Sequence, residues 1–189
     1  MTPKSFSVRI FLQDGHADGV QIIAKSKWSG RGLVIPRASI AVEIKRTELN
    51  APGVFILVGQ STERDRQSIH IGEADPVCHK LEQYDAQKDF WNRAVVFTCK
   101  DSSLNRAQIQ YLVALLVRRA KEVKRSHPGN LTTPEDSKLS ATERVDAETF
   151  FAHMLSILPL LGLHAFEGSD AENAVEPIDP GCDQPSNSS

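Results

Sequence analysis

At 189 residues the chain has room for one domain, or one domain with a small annex. Hydrophobic residues make up 40% and charged residues 24%, a globular composition, and no run approaches the length of a transmembrane helix. The polar Met1–Ser7 segment has no apolar core, so it is not expected to act as a secretory leader; Cys78, Cys99 and Cys182 form no C-x-x-C pair, so neither a disulfide framework nor a zinc knuckle is expected, and the cytoplasm is the expected compartment.

The formal charge of -2 is unevenly placed. Six acids and no Lys or Arg fall from Glu167 onward, which leaves residues 1–166 at +4. Seven bases and two acids fall between Lys100 and His127. A basic helix face of this kind suits a nucleic-acid backbone, and it equally suits a solvated surface.

In chain order, residues 5–12 alternate apolar and polar as a half-buried strand does. Asp14-Gly15 breaks that strand, and Val20 to Ala24 forms a second. Gly30-Arg31-Gly32 reads as a turn into a third strand at Leu33-Val34-Ile35, stopped by Pro36. It lacks the third glycine of a dinucleotide loop. The spacing of Ile40, Ile44 and Leu49 predicts a short helix over 38–49. Residues 1–50 are therefore expected to form a β-rich annex.

The apolar run Gly53–Gly59 predicts a central strand, and Ser68–Gly72 its hairpin partner across a polar loop. Asp75-Pro76 is expected to open a helix carrying Val77, Leu81 and Tyr84. Ala94–Cys99 is a further strand. Asp101-Ser102-Ser103 is expected to cap a long helix from Leu104 to about Arg125, ended by Pro128-Gly129-Asn130. Its apolar stripe includes Ile109, Leu112, Val113, Leu116 and Ala120. Ser140 and Glu143 form a capping box for a last helix, which packs Ala147, Phe151, Met154, Leu155 and Leu158 and stops at Pro159. Residues 168–189 read as a disordered acidic tail. The expected architecture is α/β (α+β): a small mixed sheet flanked by helices over 51–126, the annex before it, and a linker with a C-terminal helix over 127–167.

The order strand, strand, helix, strand, helix from Gly53 to about Arg118 resembles the GIY-YIG endonuclease family. Gly53-Val54-Phe55 stands where that family has Gly-Ile-Tyr, and His70-Ile71-Gly72 where it has Tyr-Ile-Gly. The stretch Gly72-Glu73-Ala74-Asp75-Pro76-Val77 and Asp89-Phe90-Trp91 are similar to a bacterial subgroup with an extra N-terminal β unit and a C-terminal helix. The resemblance implies a divalent-metal-dependent phosphodiesterase site built from two tyrosines, an arginine, a second proton carrier and a glutamate.

This chain departs from that pattern at most of those positions. Phe55 has no hydroxyl, and His70 replaces the second tyrosine with an imidazole that can still transfer a proton. Lys80 keeps the arginine's charge without its planar fork. Tyr84 fills the place of a family His or Tyr, and Val113 stands at the glutamate position and cannot hold a metal. His70, Lys80 and Tyr84 are thus the candidate catalytic residues, with Phe55 and Val113 degenerate. Lys100, Arg106, Arg118, Arg119 and Lys121 are the candidate nucleic-acid contacts.

The expected function is a nuclease-fold protein with a degenerate centre, binding nucleic acid, DNA first, with little or no cleavage and no cofactor. Two alternatives stay open. One is an active endonuclease using Mg²⁺ or Mn²⁺, with Glu73 the nearest carboxylate in sequence; the other is a protein-interaction or regulatory module. No membrane partner is expected. Plainer roles are expected elsewhere: Cys78-His79 fits no zinc spacing, Cys99 reads as a buried thiol, and Trp28 and Trp91 read as packing anchors.

Overall fold

A computed structural model describes residues 5–60, 66–101, 103–128 and 139–168. The acidic tail expected from residue 168 onward lies, but for Gly168, outside the described residues.

The first three strands are β1 (Val8–Leu12), β2 (Gln21–Lys25) and β3 (Gly30–Pro36). Gly30-Arg31-Gly32 is therefore strand and not turn. The reversal occurs at Ser26-Lys27, with Lys27 at a φ of 58°. Gly30 is needed for another reason: a Cβ there would strike the Trp28 indole. The helix expected over 38–49 is broken into a 3-10 turn at Arg37–Ser39, one helical turn α1 (Ile40–Glu43) and a 3-10 turn at Thr47–Leu49. The β-branched Ile40, Val42, Ile44 and Thr47 weaken helix propagation here.

Strands β4 (Gly53–Gln60) and β5 (Gln67–Ala74) form the expected hairpin, followed by α2 (Val77–Gln87), β6 (Arg93–Cys99) and α3 (Arg106–Val123). Two helix starts differ from expectation. Pro76, not Asp75, is the N-cap of α2, with no side-chain cap; the Val77 N–H bonds the Ala51 carbonyl. Asn105, not the Asp101–Ser103 run, caps α3 through a capping box with Gln108. Asp101 is engaged by the Cys99 thiol and the Ser103 N–H. Helix α3 ends at Val123 on a left-handed Lys124, before Pro128, and Ser126–Pro128 forms a short β7. Helix α4 (Ala141–Ile157) starts on the expected Ser140–Glu143 box, with Phe150 buried and Phe151 partly buried against the same core.

One sheet collects every strand, in the order β1-β2-β3-β6-β4-β5-β7. All pairs are antiparallel except β5 with β7. The sheet is larger than expected because β3 pairs along the whole of β6, from Gly30 opposite Cys99 to Pro36 opposite Arg93. Alternation along β4 feeds two cores. Val54, Ile56 and Val58 pack under α3 and α4 with Leu112, Leu116 and Met154. Phe55 and Leu57 pack under α1 and α2 with Leu33, Leu81 and Trp91.

Candidate functional site

The hairpin and α2 bring three of the expected positions together. Phe55 lies opposite Gly72 in the β4–β5 register, and a Cβ on Gly72 would sit 2.5 Å from Phe55 Cζ. The glycine of the His-Ile-Gly run thus makes room for the Phe55 ring. His70 is two residues earlier on the same face, opposite Leu57. From α2, the Tyr84 hydroxyl meets His70 Nε2 at 3.3 Å, with the rings edge-on at 5.2 Å. Phe55 closes the group, 5.7 Å from the Tyr84 ring. Burial holds the Tyr84 hydroxyl above its ordinary pKa, so it stays protonated at neutral pH and can share its proton with the imidazole.

Lys80 and Lys88 flank the Tyr84 ring, with Nζ at 5.3 and 5.0 Å from its centroid. Lys88 is a member that the sequence reading did not single out. Lys88 is the C-cap of α2, four positions after Tyr84. Arg37, just after β3, fixes the far end of α2. It donates to the Asp85 carboxylate and carbonyl, each at 2.9 Å, reaches Asp89 at 3.1 Å, and lies over the Trp91 ring. A residue of the N-terminal region, in the 3-10 turn after β3, therefore positions the helix that carries Lys80 and Tyr84.

Glu73 follows His70 by three residues and so faces the other side of the sheet. Gln110 of α3 donates to Glu73 Oε1 at 3.2 Å, and Oε2 is buried without a hydrogen-bond partner. At the end of β5, Glu73 joins Asp75, His79, Lys80, Gln83 and Arg106 around a cleft of about 390 Å³. Lys80 touches both groups: it lines this cleft, lies by Tyr84, and donates to Gln83 at 2.9 Å.

Val113 is buried in the core under α3 and α4, across the sheet from Phe55. Among the described residues no three His, Cys, Asp or Glu side chains converge as metal ligands do.

The five candidate nucleic-acid contacts do not form one patch. Arg106 stands in the first turn of α3, at the cleft. Arg118 and Lys121 share a face about 18 Å further along the helix axis. Arg119 is committed elsewhere, donating to the Phe166 carbonyl at 2.9 Å. Lys100 is exposed just after β6. Of the remaining residues, Cys99 is a buried thiol hydrogen-bonded to Asp101 and Ser103, and the bonds that the Cys99 thiol and Ser103 donate to Asp101 pull its carboxyl down to about 2. Trp28 packs on Phe150 and Phe97, and Trp91 is buried beside α2.

Comparison with models of known protein families, with curated proteins and with solved structures finds no match to this chain.

Proposed function

We propose that this chain is a GIY-YIG-type nuclease-fold protein with a degenerate catalytic centre, which binds nucleic acid, DNA first, and cleaves it little or not at all. One observation carries the reading. The hairpin-helix-strand-helix order brings Phe55, His70, Lys80 and Tyr84 into one contact group, although they come from two strands and a helix. The resemblance assigns its site to these same positions. The group keeps a proton-sharing pair and a cation, while the position assigned to the metal-holding carboxylate is a core valine. Lys80 and Arg106 on the neighbouring cleft supply charge for phosphate contacts without a bidentate fork at position 80.

The test is fluorescence anisotropy with labelled duplex DNA at two salt concentrations, and cleavage assays with Mg²⁺ and Mn²⁺. Binding that weakens steeply with salt is expected. Lys80→Ala and Arg106→Ala are each expected to reduce the slope of log K against log salt by about 0.9. Absence of binding at low salt overturns the reading in favour of a protein-interaction module. Metal-dependent cleavage abolished by His70→Ala, Tyr84→Phe or Glu73→Gln overturns it in favour of an active endonuclease.

A further inference from the structure

Among the described residues the sheet ends on β7 at one side and β1 at the other, and the two edges are built differently. Strand β7 is three residues long and closes on Pro128, which has no N–H to offer another strand. Strand β1, Val8-Arg9-Ile10-Phe11-Leu12, is five residues long and holds neither proline nor lysine, the residues that keep an edge from pairing with another chain.

The bonds at the two ends of β1 fix which of its groups face outward. The Ser7 carbonyl accepts from the Ser26 N–H and the Gln13 N–H donates to the Val20 carbonyl, both at 3.0 Å and both toward β2. Antiparallel pairs alternate, so Arg9 and Phe11 also bond toward β2, while Val8, Ile10 and Leu12 turn their backbone groups away from it. No described strand takes these groups; the Leu12 carbonyl accepts from Gly15 at 3.4 Å. The side chains are as open as the backbone. Phe11 is 62% exposed, Phe6 48% and Ile10 41%. Ile10 lies opposite Ile23 on the α3 and α4 side, where Val8 packs on the core. Arg9 and Phe11 lie on the other side, opposite Ala24 and Ile22.

We infer that β1 pairs with β1 of a second copy of this chain, antiparallel and centred on Ile10, so that one sheet runs through both chains. The strand is complementary to itself in that register. Ile10 meets Ile10 and exchanges both backbone bonds, and Val8 meets Leu12 on either side of the axis. On the opposite side of the sheet each Arg9 guanidinium meets the Phe11 ring of the other copy. A register centred on Arg9 would set two guanidinium groups against each other, and one centred on Phe11 would set Val8 against Asp14 in the turn. Two copies bring together about 600 Å² of exposed apolar side chain from Phe6, Ile10 and Phe11, about half of what a stable complex buries. The dimer is therefore a weak one, dissociated at about 1 µM and formed at about 500 µM. It is independent of the nuclease reading, since β2, β3 and β6 separate β1 from the β4–β5 hairpin.

The experiment is sedimentation velocity of the full chain from about 1 to about 500 µM. The sedimentation coefficient is expected to rise across that range from the monomer value to the dimer value. Phe11→Lys sets an ammonium group against the partner's Arg9 and is expected to weaken association at least about tenfold. Adding Arg9→Glu to Phe11→Lys sets opposite charges across the axis and is expected to restore association to within about threefold of the unaltered chain. Both positions are exposed, so the melting temperature at about 1 µM is expected to stay unchanged, which separates lost pairing from lost folding. A monomer throughout the range, a dimer indifferent to Phe11→Lys, or no recovery on adding Arg9→Glu overturns the proposal.

Discussion

Strand β5 carries opposite chemistry on its two sides. Toward α2 it shows His70, in contact with a phenol and an aromatic ring and bordered by lysines. Toward α3 it shows Glu73, a carboxylate with one donor and one unmet oxygen. They are three positions apart, and an odd offset in a strand puts the sheet between them. A one-residue slip would exchange both at once and could not unite them. The proton-sharing pair and the carboxylate are therefore held apart by backbone geometry, and Lys80 of α2 borders both.

The sharpest way to break this contrast is to remove the ring that fills the α2 side. Phe55 is fully buried over Gly72, and Phe55→Ala is expected to cost about 3–5 kcal/mol in urea unfolding. A loss below about 1 kcal/mol would show that the α2 side is loosely packed. On the α3 side the expected sign reverses. Glu73→Met removes a buried unmet oxygen and is expected to stabilise the chain by about 1 kcal/mol, and destabilisation would mean that the carboxylate has a partner in solution.

The contact between His70 and Tyr84 can be isolated by a double-mutant cycle with His70→Leu and Tyr84→Phe. A coupling of about 1 kcal/mol is expected, and additivity would mean the pair does not share a proton. The smallest effect belongs again to the α3 and α4 side. His153, beside Trp28, is held below its ordinary 6.5 by burial and then by Lys25. As pH falls, the unfolded chain takes this proton first, so the stability linked to His153 is complete above 6.5 and declines below it. The melting temperature is expected to fall as pH drops below about 6.5, and His153→Phe should flatten that decline.

Much of the fold is legible where the signal is local. The unbroken apolar run of β4 and the alternation of β5 give the hairpin, and the Ser140–Glu143 box gives the start of α4. Non-local pairing is not legible: nothing in β3 alone names β6 as its neighbour, so the full width of the sheet is not apparent. Caps fail where several short polar residues compete. Asp101, Ser103 and Asn105 all suit the role, and the Cys99 thiol decides by taking Asp101. In the site, the separation of Glu73 from His70 follows from strand period. The buried state of Tyr84 requires Phe55 and α2 to be in place. Elsewhere, Arg93 and Gln67 both donate to the Gly162 carbonyl, a convergence across 69 and 95 positions that has no sequence signature.

The two capping boxes have a further consequence. Glu143, inside the second box, accepts from Asn105 and Gln108 of the first through its carboxylate and carbonyl. Further on, Tyr111 donates to Glu148, and Leu115 and Arg119 border Phe151 and Leu155. The contacts advance together, so α3 and α4 run side by side in the same direction, and the chain must travel back the length of α3 before α4 begins. Eighteen residues of helix make that journey about 27 Å. A tight turn after α3 cannot cover that distance, so the first turns of the two helices meet only across a long separation in sequence, and the Glu143–Asn105 bond is what closes it.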